Sequence, residues 1–228
     1  RLVGSEMCIR DRLTGGIYFG EKQLNDDKTQ ASDLCSYSAE EVERIAHMAF
    51  RAAQKRRKKL TLVDKANVLE TSRLWRRVVT EIGKTNYPDV ALDYLFVDNA
   101  AMQLILNPAQ FDVMLTENMF GDILSDEASV LGGSIGLAAS ASVGAVHSMF
   151  EPIHGSFPQA TGKGIANPIA SILSAAMLLE HFNLYHEAGL IKEAVAYSID
   201  KGVSTPDIFE GSAYTTQDVG CLLYTSDA

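Results

Sequence analysis

The chain has 228 residues, of which 46% are hydrophobic and 21% charged, a composition typical of a globular protein with one large or two small domains. No segment approaches the ~18 consecutive apolar residues that a membrane-spanning helix needs, so we expect no membrane partner. The formal net charge of −9 argues against nucleic acid as a main partner. The three cysteines, Cys8, Cys35 and Cys221, have neither metal-ligand nor disulfide spacing, which favours a reducing, cytoplasmic location.

The first predicted helix begins at a capping box. Ser38 is followed by Glu41, and apolar residues then recur at helical spacing from Val42 to Ala49. The basic run 55–59 (KRRKK) follows where this helix should end. Two interpretations are open: a nucleic-acid-binding patch, or cations that complement the negative end of the helix dipole. The acidic character of the whole chain favours the second.

Short β-prone segments then alternate with helical ones. The predicted strands are 60–63, 94–97 and 112–116, and the predicted helices are 68–82, 100–106 and 121–131. Such alternation predicts an α/β fold with a parallel or mixed sheet covered by helices. After Gly132 the sequence becomes rich in glycine, alanine and serine, and two further helices are predicted at 169–179 and 187–199. We therefore place a candidate domain boundary near Gly132.

Ionisable or polar residues follow each of the three predicted strands. The pairs are Asp64–Lys65, Asp98–Asn99 and Glu117–Asn118. Carboxyl ends of neighbouring parallel strands share one edge of a sheet, where ligands bind in open α/β folds. The alternative is that strand ends simply need polar residues where they meet water. The pattern alone supports the two interpretations about equally.

Two carboxylates follow the third strand at helical spacing. Asp122 and Asp126 are four residues apart and would share one helix face, with Cβ atoms roughly 5–6 Å apart. Hard oxygen ligands at this distance suit Mg²⁺ or Mn²⁺. The alternative is a solvated first turn, where acidic residues are common. Lys65 is a candidate general base, provided that desolvation or cationic neighbours disfavour its ammonium form.

The loop 151–168 (EPIHGSFPQATGKGIANP) contains three glycines and an early His-Gly-Ser, which indicates close approach of the backbone to a ligand. It lacks the G-x-G-x-x-G dinucleotide fingerprint, because Asn167 stands in place of the last glycine. By themselves, the residues thus predict an α/β protein with a carboxylate metal site and a glycine-rich ligand loop, but no particular reaction.

Five segments carry a family resemblance. They are LTGGIYFG (13–20), VDKANVL (63–69), VDNAAMQLI (97–105), ENMFGDILSDE (117–127) and the loop 151–168. In order and spacing they resemble the β-decarboxylating dehydrogenases of the isocitrate/isopropylmalate family, over roughly residues 13–220. The TGG-IYFG block is similar to the 3-isopropylmalate dehydrogenase branch. The resemblance implies a two-domain α/β fold with a mixed, mostly parallel sheet, incomplete here because the family's N-terminal strands have no counterpart.

The resemblance implies an NAD-dependent enzyme that oxidises a secondary hydroxyl and then releases CO₂. For the 3-isopropylmalate branch, the substrate is (2R,3S)-3-isopropylmalate, the product is 4-methyl-2-oxopentanoate and the pathway is leucine biosynthesis. A homodimer with shared active sites is also implied. The alternatives are a relative that acts on isocitrate, homoisocitrate or tartrate, and an inactive fragment that retains only dimerisation.

Family roles transfer to five residues of the catalytic site. Lys65 would take the hydroxyl proton, and Tyr18 would protonate the enolate left after decarboxylation. Asp98, Asp122 and Asp126 would hold Mg²⁺ or Mn²⁺. Tyr18 and Asp98 would also contact the substrate. Because Lys65 and Asp98 reach the site from the partner in this family, we expect them to form one group, and Asp122 with Asp126 a second group, within each chain.

The same resemblance implies an NAD-binding segment within 154–167. The residues implied to bind the cofactor are His154, Gly155, Ser156, Gln159, Gly162, Ile165, Ala166 and Asn167. Gln159 stands where the family carries an acidic partner of the adenosine ribose. An amide still hydrogen-bonds a ribose hydroxyl but does not repel a 2′-phosphate, so the preference for NAD over NADP is weakened.

The resemblance also divides the chain. Residues 13–132 are expected to form the substrate, metal and dimerisation domain, and residues 133–220 the C-terminal part of the cofactor-binding domain. Residues 1–12 and 221–228 fit neither, so we predict that both are foreign extensions of an N-terminally truncated chain. The family's substrate-binding arginines are missing, one of them replaced by Asp11. We therefore expect this fragment by itself to be inactive.

Overall fold

The structure, a computed structural model, describes residues 8–10, 15–144 and 146–225. Asp11 and most of the predicted N-terminal extension lie outside this range. The chain divides into two compact units, Arg1–Ala128 and Ser129–Ala228. The division falls close to the boundary predicted near Gly132, and whether the units match the predicted functional domains stays a prediction. No helix in the described part of the chain is long and apolar enough to cross a membrane.

The first unit is built around a four-stranded sheet. The six strands in the described part of the unit, four in this sheet and two in a hairpin, are β1 (Cys8–Arg10), β2 (Lys22–Leu24), β3 (Ala31–Asp33), β4 (Lys59–Asp64), β5 (Ala91–Phe96) and β6 (Val113–Thr116). Its helices are α1 (Ala39–Gln54), α2 (Glu70–Asn86), α3 (Val97–Leu106) and α4 (Asn118–Leu131), with a 3₁₀ turn at Pro108–Gln110. The sheet has the order β1-β6-β4-β5 with all pairs parallel, and β2 and β3 form a separate antiparallel hairpin. This α/β architecture is the predicted fold class.

The core of this unit lies between the sheet and two helices. Leu60 and Leu62 of β4 lie in one apolar cluster with Phe50 of α1 and Trp75 of α2. Side chains alternate along a strand, so the intervening Thr61 points to the other face. α2 connects β4 to β5, and α3 connects β5 back to β6, in the opposite direction across the sheet. Because such connections are right-handed, the two helices lie on opposite faces of the sheet. Cover on both faces explains why β4 is buried from Leu60 onward.

The first helix and the basic run agree with their predictions. Ser38 caps α1: its hydroxyl accepts the Glu41 amide at 3.2 Å, while its own amide donates to the Glu41 carboxylate at 2.9 Å. The helix ends at Gln54, and cations of the basic run pair with acids of the same chain. The pairs are Arg56–Asp112, Lys58–Asp89 and Lys59–Asp93. The run thus begins where α1 ends, as predicted, and the choice between the two interpretations stays a prediction.

In its described residues, the second unit contains one hairpin and three helices. Its elements are a 3₁₀ turn at Ile135–Leu137, β7 (Ala139–Val143), β8 (Ser148–Pro152), a 3₁₀ turn at Pro158–Ala160, α5 (Ile169–His181), α6 (Tyr185–Asp200) and α7 (Thr216–Thr225). Strands β7 and β8 pair antiparallel. Ile169, Val195 and Val219, one from each helix, form a buried cluster, and Leu223 packs against it.

Several elements differ from their sequence-based predictions. α2 begins at Glu70 rather than at 68, and α4 begins at Asn118 rather than at 121. The hairpin of β2 and β3 escapes prediction because every one of its residues is exposed and no apolar alternation marks it. α7 also escapes prediction, and it continues to Thr225, inside the segment predicted to be foreign. The origin of that segment stays a prediction.

The buried carboxylate of Asp64 generates a stability prediction. Asp64 is 2% exposed, and Arg76 donates two hydrogen bonds of 2.8 Å to it. Arg76→Ala would leave a buried charge without its cation, so we expect the free energy of unfolding to fall by about 3 kcal/mol. The control Arg77→Ala, at an exposed position of the same helix, should change it by less than about 0.5 kcal/mol. Urea titration followed by Trp75 fluorescence measures both, and equal effects would contradict the prediction.

Candidate functional site

Lys65 and Asp98 form an ion pair at the carboxyl end of the sheet. β4 and β5 pair in parallel with Asp64 opposite Phe96, so the chain leaves both strands at the same level. The Lys65 ammonium contacts Asp98 Oδ1 directly and lies 6.0 Å from the centre of the Phe96 ring. The hydrogen bond from Lys65 lowers the pKa of the exposed Asp98 carboxyl. The structure thus brings the two residues together, and their roles stay predictions.

Two other ionisable residues at the strand ends have structural partners. Asp64 is held by Arg76, as described above. Glu117 is 7% exposed, and its carboxylate accepts the backbone amide of Phe120 at 3.0 Å and the Tyr37 hydroxyl at 2.9 Å. Glu117 therefore stabilises the amino end of α4, where a carboxylate is favoured. For Asp64 and Glu117, contacts within the chain are sufficient to explain an acidic residue.

Tyr18 contacts the first carboxylate of α4. Its hydroxyl donates to Asp122 Oδ2 at 2.8 Å across 104 residues of sequence. Tyr18 lies in a turn in which the Gly20 amide donates to the Gly16 carbonyl at 3.1 Å. The hydrogen bond to Asp122 is the main cause of a raised pKa of Tyr18, which holds the proton on the phenol. A protonated donor thus lies against a carboxylate.

Asp122 and Asp126 lie one turn apart on the exposed side of α4. Because α4 begins at Asn118, the two aspartates fall in its second and third turns, and its first turn contains no acid. The interpretation of this pair as first-turn acids is therefore wrong. The acid at the start of the helix is Glu117, which directly precedes α4. The shared helix face is as the spacing predicts.

The three aspartates predicted to hold a cation do not form one cluster within a chain. Among the described residues, no group of three His, Cys, Asp or Glu side chains is arranged to hold a metal ion. β4 lies between β5 and β6, so the strands that lead to Asp98 and Asp122 are roughly 10 Å apart, two inter-strand spacings. As donors, exposed carboxylates fit Mg²⁺ or Mn²⁺, which prefer hard oxygen ligands. Each chain thus carries a tyrosine half-site (Tyr18, Asp122 and Asp126) and a lysine half-site (Lys65 and Asp98).

The glycine-rich loop of the second unit runs from β8 to α5. Gly162 and Gly164 have φ angles of +75° and +64°, a backbone conformation that favours glycine. His154 Nδ1 lies 3.0 Å from the Gly155 carbonyl oxygen. The exposed members of the predicted cofactor segment are Gly155, Ser156, Gln159, Gly162, Ile165 and Ala166, and the half-buried ones are His154 and Asn167. Most of the predicted segment therefore lies on the surface.

Asn167 is held in one orientation by its neighbours. Its Nδ2 donates to Asp207 Oδ2 at 3.0 Å, and its Oδ1 accepts the Ile169 amide at 3.0 Å. A Cβ added to Gly136 would approach the Asn167 Cβ to 2.7 Å, so a larger residue would collide there. The Asn167 amide is therefore fixed at the start of α5, with a partner at each end.

Asp207 is a residue that the sequence analysis missed. Its carboxylate accepts hydrogen bonds from Ser134, Asn167 and Thr205, the last at 2.6 Å. Burial opposes the ionisation of Asp207, but these hydrogen bonds outweigh burial and lower its pKa. Ser134 and Asp207 are 73 residues apart, so no local pattern shows their contact.

Comparison with known proteins identifies the family. Residues 2–223 match the sequence profile described as isocitrate/isopropylmalate dehydrogenase. The chain belongs to this family. The matched range reaches into both segments predicted to be foreign extensions.

Curated relatives and a solved structure agree with this assignment. The 3-isopropylmalate dehydrogenase of Bacteroides fragilis is 55% identical over 219 residues, which cover 95% of this chain and 61% of the relative. That of Aquifex aeolicus is 51% identical over 90% of this chain and 57% of its own length. The structure of isocitrate dehydrogenase from Methylococcus capsulatus matches with a TM-score of 0.89 at 39% identity, covering 95% of this chain and 66% of that one. The predicted family and fold class are confirmed, and the chain spans 61% or less of these curated relatives.

The lowered pKa of Asp207 generates a prediction about acid stability. A carboxyl whose pKa is lower in the folded than in the unfolded state contributes stability above its unfolded pKa of about 4, and this contribution is lost as pH falls through the folded pKa. We therefore expect Asp207→Asn to flatten the decrease of the thermal unfolding midpoint below about pH 4. Differential scanning calorimetry measures this decrease in both proteins.

The matched control for Asp207→Asn is Asp200→Asn. Asp200 is the exposed last residue of α6, and its replacement should leave the wild-type pH dependence. An unchanged slope in Asp207→Asn would show that the three hydrogen bonds do not stabilise the ionised carboxyl.

Proposed function

We propose that the full-length protein is a 3-isopropylmalate dehydrogenase. It would oxidise (2R,3S)-3-isopropylmalate with NAD and decarboxylate it to 4-methyl-2-oxopentanoate in cytoplasmic leucine biosynthesis. The observation that carries the proposal is the pairing of reactive groups in two half-sites, Lys65 with Asp98 and Tyr18 with Asp122. Both curated relatives named above are 3-isopropylmalate dehydrogenases, which supports this substrate.

The two half-sites divide the proton transfers of this reaction. Lys65, in its uncharged form, would take the proton of the substrate's secondary hydroxyl as hydride leaves the same carbon for the nicotinamide. Loss of CO₂ from the resulting β-keto acid leaves an enolate. Tyr18 would then give its proton to the carbon that lost the carboxyl group. Its hydroxyl already acts as a donor, to Asp122 at 2.8 Å, which supports this role.

Two cofactors are part of the proposal. Asp122 and Asp126, with Asp98 of a second copy, would hold Mg²⁺ or Mn²⁺, which polarises the substrate oxygen and stabilises negative charge on it. His154 and the segment 155–167 would line the adenosine end of NAD, which would supply the hydride acceptor. Asn167 suits such a role because its amide has a fixed orientation.

The first unit presents surfaces that fit a homodimer with shared active sites. The exposed apolar residues of α3 are Met102, Ile105 and Leu106. On α4, Ile123 is exposed next to Asp122. A two-stranded hairpin is marginally stable by itself, and β2 and β3 are exposed throughout, so a partner that covers them would stabilise them. Because Asp98 lies on α3 and Asp122 on α4, a second copy that covers both helices would join unlike half-sites.

Two alternatives have specific support. The Methylococcus capsulatus structure is an isocitrate dehydrogenase, so a relative acting on isocitrate, homoisocitrate or tartrate fits the same half-sites. A fragment that only dimerises is the second alternative, because the chain spans 61% of a curated relative. Assay of the full-length protein separates the first alternative from the proposed function, and assay of the 228-residue chain tests the second.

The full-length protein should reduce NAD with 3-isopropylmalate and should require Mg²⁺ or Mn²⁺. Chelation with EDTA should abolish turnover, and either ion should restore it, because the carboxylates need a cation to act on the substrate oxygen. Absorbance of NADH gives the rate, with isocitrate, homoisocitrate and tartrate compared under the same conditions. Turnover that survives chelation would reject the metal role, and a higher kcat/KM with isocitrate would reject the substrate. Parallel assays with NADP test the effect of Gln159.

Two inactive variants with defects in different half-sites should regain activity when combined. Lys65→Met removes the base, and Asp122→Asn removes a carboxylate charge. In a mixed dimer, one site receives both defects and the other receives neither. Random pairing makes half of the dimers mixed, so we expect about a quarter of the wild-type rate of NAD reduction after co-expression.

The matched control combines Lys65→Met with Asp98→Asn, whose defects lie in the same half-site. Every site of that mixed dimer keeps one defect, so the mixture should stay inactive. Recovery in both mixtures, or in neither, would argue against sites that are shared between chains.

A further inference from the structure

Tyr37 lies between the turn that carries Tyr18 and the start of α4. Its hydroxyl donates to Glu117 Oε2 at 2.9 Å and accepts the backbone amide of Asn118 at 3.2 Å. Asn118 is the first residue of α4, one turn before Asp122. One side chain therefore contacts both a buried carboxylate and the first amide of the helix that carries Asp122.

The same ring supports the backbone that leads to Tyr18. A Cβ added to Gly15 would approach Tyr37 Cε1 to 2.8 Å, and one added to Gly16 would approach the Tyr37 hydroxyl oxygen to 2.1 Å. Gly16 also has a φ of +82°, and its amide donates to the Ser36 carbonyl at 3.1 Å. The backbone at these two positions lies directly on Tyr37, and only glycine allows that approach.

The contacts of Tyr37 are partly buried and persist at working pH. The Trp75 indole packs edge-on against the Tyr37 ring, with centroids 5.4 Å apart. Burial raises the pKa of Tyr37 far above its usual value, so the hydroxyl stays protonated and remains a donor to Glu117. Because Glu117 also accepts the Phe120 amide, loss of the Tyr37 hydroxyl would leave a buried carboxylate with one partner fewer at the start of α4.

We propose that Tyr37 is a positioning residue for Tyr18, which holds the Tyr18 turn against the start of α4 and thereby sets the hydrogen bond between Tyr18 and Asp122. The Tyr18 turn begins at Gly16, and α4 begins at Asn118. Tyr37 contacts both starting points, so displacement of its ring changes the Tyr18–Asp122 distance from both sides. The inference rests on the proposed role of Tyr18 as proton donor.

Tyr37→Phe in the full-length protein tests this role, because it removes the hydroxyl and keeps the ring. We expect kcat to fall on the order of 10- to 100-fold, as for a reacting group displaced by about 1 Å. KM should change less than about threefold, since the substrate contacts remain. Steady-state rates of NAD reduction give both constants.

The matched control is Tyr87→Phe in the same unit. Tyr87 is 8% exposed, its hydroxyl lies 2.9 Å from His47 Nδ1, and its ring stacks on Phe50 at 4.8 Å between centroids. The control thus also removes one hydroxyl contact from a packed aromatic ring. Its kcat should stay within about twofold of wild type. Equal losses of kcat in Tyr37→Phe and Tyr87→Phe would overturn the proposal.

A double-mutant cycle separates positioning from a general loss of stability. If Tyr37 acts through Tyr18, adding Tyr37→Phe to Tyr18→Phe should change kcat by less than about twofold, because the group to be positioned is already absent. A further fall of about 10-fold in the double variant would show that Tyr37 acts independently of Tyr18 and would overturn the proposal.

Hydrogen exchange provides a readout that does not depend on activity. Tyr37→Phe should speed amide exchange in peptides that cover residues 15–20 and 117–122, and Tyr87→Phe should leave them at wild-type rates. If the full-length protein oxidises neither 3-isopropylmalate nor isocitrate, homoisocitrate or tartrate, the proposed function fails and with it the catalytic role of Tyr18. If the protein is active but Tyr37→Phe leaves both peptides unchanged, the positioning role fails and the proposed function stands.

Discussion

The parallel pairing of β4 with β5 and β6 is the constraint on which the candidate site depends. Asp64 lies opposite Phe96, and Val63 lies opposite Thr116, so three strands end at one level of the sheet. A slip of one residue would turn the buried side chains of β4 to the wrong face and would move Lys65 away from its acidic partner. Burial of β4 on both faces makes such a slip costly, and the geometry of the lysine half-site follows from it.

Local patterns in the sequence were sufficient for most elements and for part of the site. α1 was predictable from its Ser38 capping box. The grouping of Lys65 with Asp98 followed from the family resemblance, because their strand-end positions left the choice open. The start of α4 was misplaced because Glu117 was interpreted only as a strand-end residue. Its carboxylate accepts the Phe120 amide, so it belongs to the beginning of the helix. A strand that runs straight into a helix leaves no loop residues to mark that boundary.

The remaining contacts of the candidate site join residues that are far apart in sequence. They are Tyr18–Asp122, Tyr37–Glu117 and Asn167–Asp207, separated by 104, 80 and 40 residues. Such contacts depend on how loops pack, and loops carry no hydrophobic period from which packing could be predicted. In the sequence around these contacts, glycines were the residues that indicated a close approach. Gly16 allows the approach of the Tyr37 ring and Gly136 that of Asn167, but a glycine shows only that something approaches, not which side chain does so.

The order of the strands separates the two half-sites along the sheet within one chain. α3 leaves the sheet from the edge strand β5 and α4 leaves it from β6, with β4 between them. The strands that lead to Asp98 and Asp122 are two inter-strand spacings apart, roughly 10 Å, whereas metal–oxygen bonds span only ~2.0–2.6 Å. The separation of β5 from β6 is set by the strand order and does not depend on side-chain rotamers. In the proposed homodimer, a second copy would cover the apolar side of α3 and the exposed side of α4, and would bring the divided carboxylates together. Under the proposed function, base and acid would meet only in the dimer, and catalysis would depend on assembly.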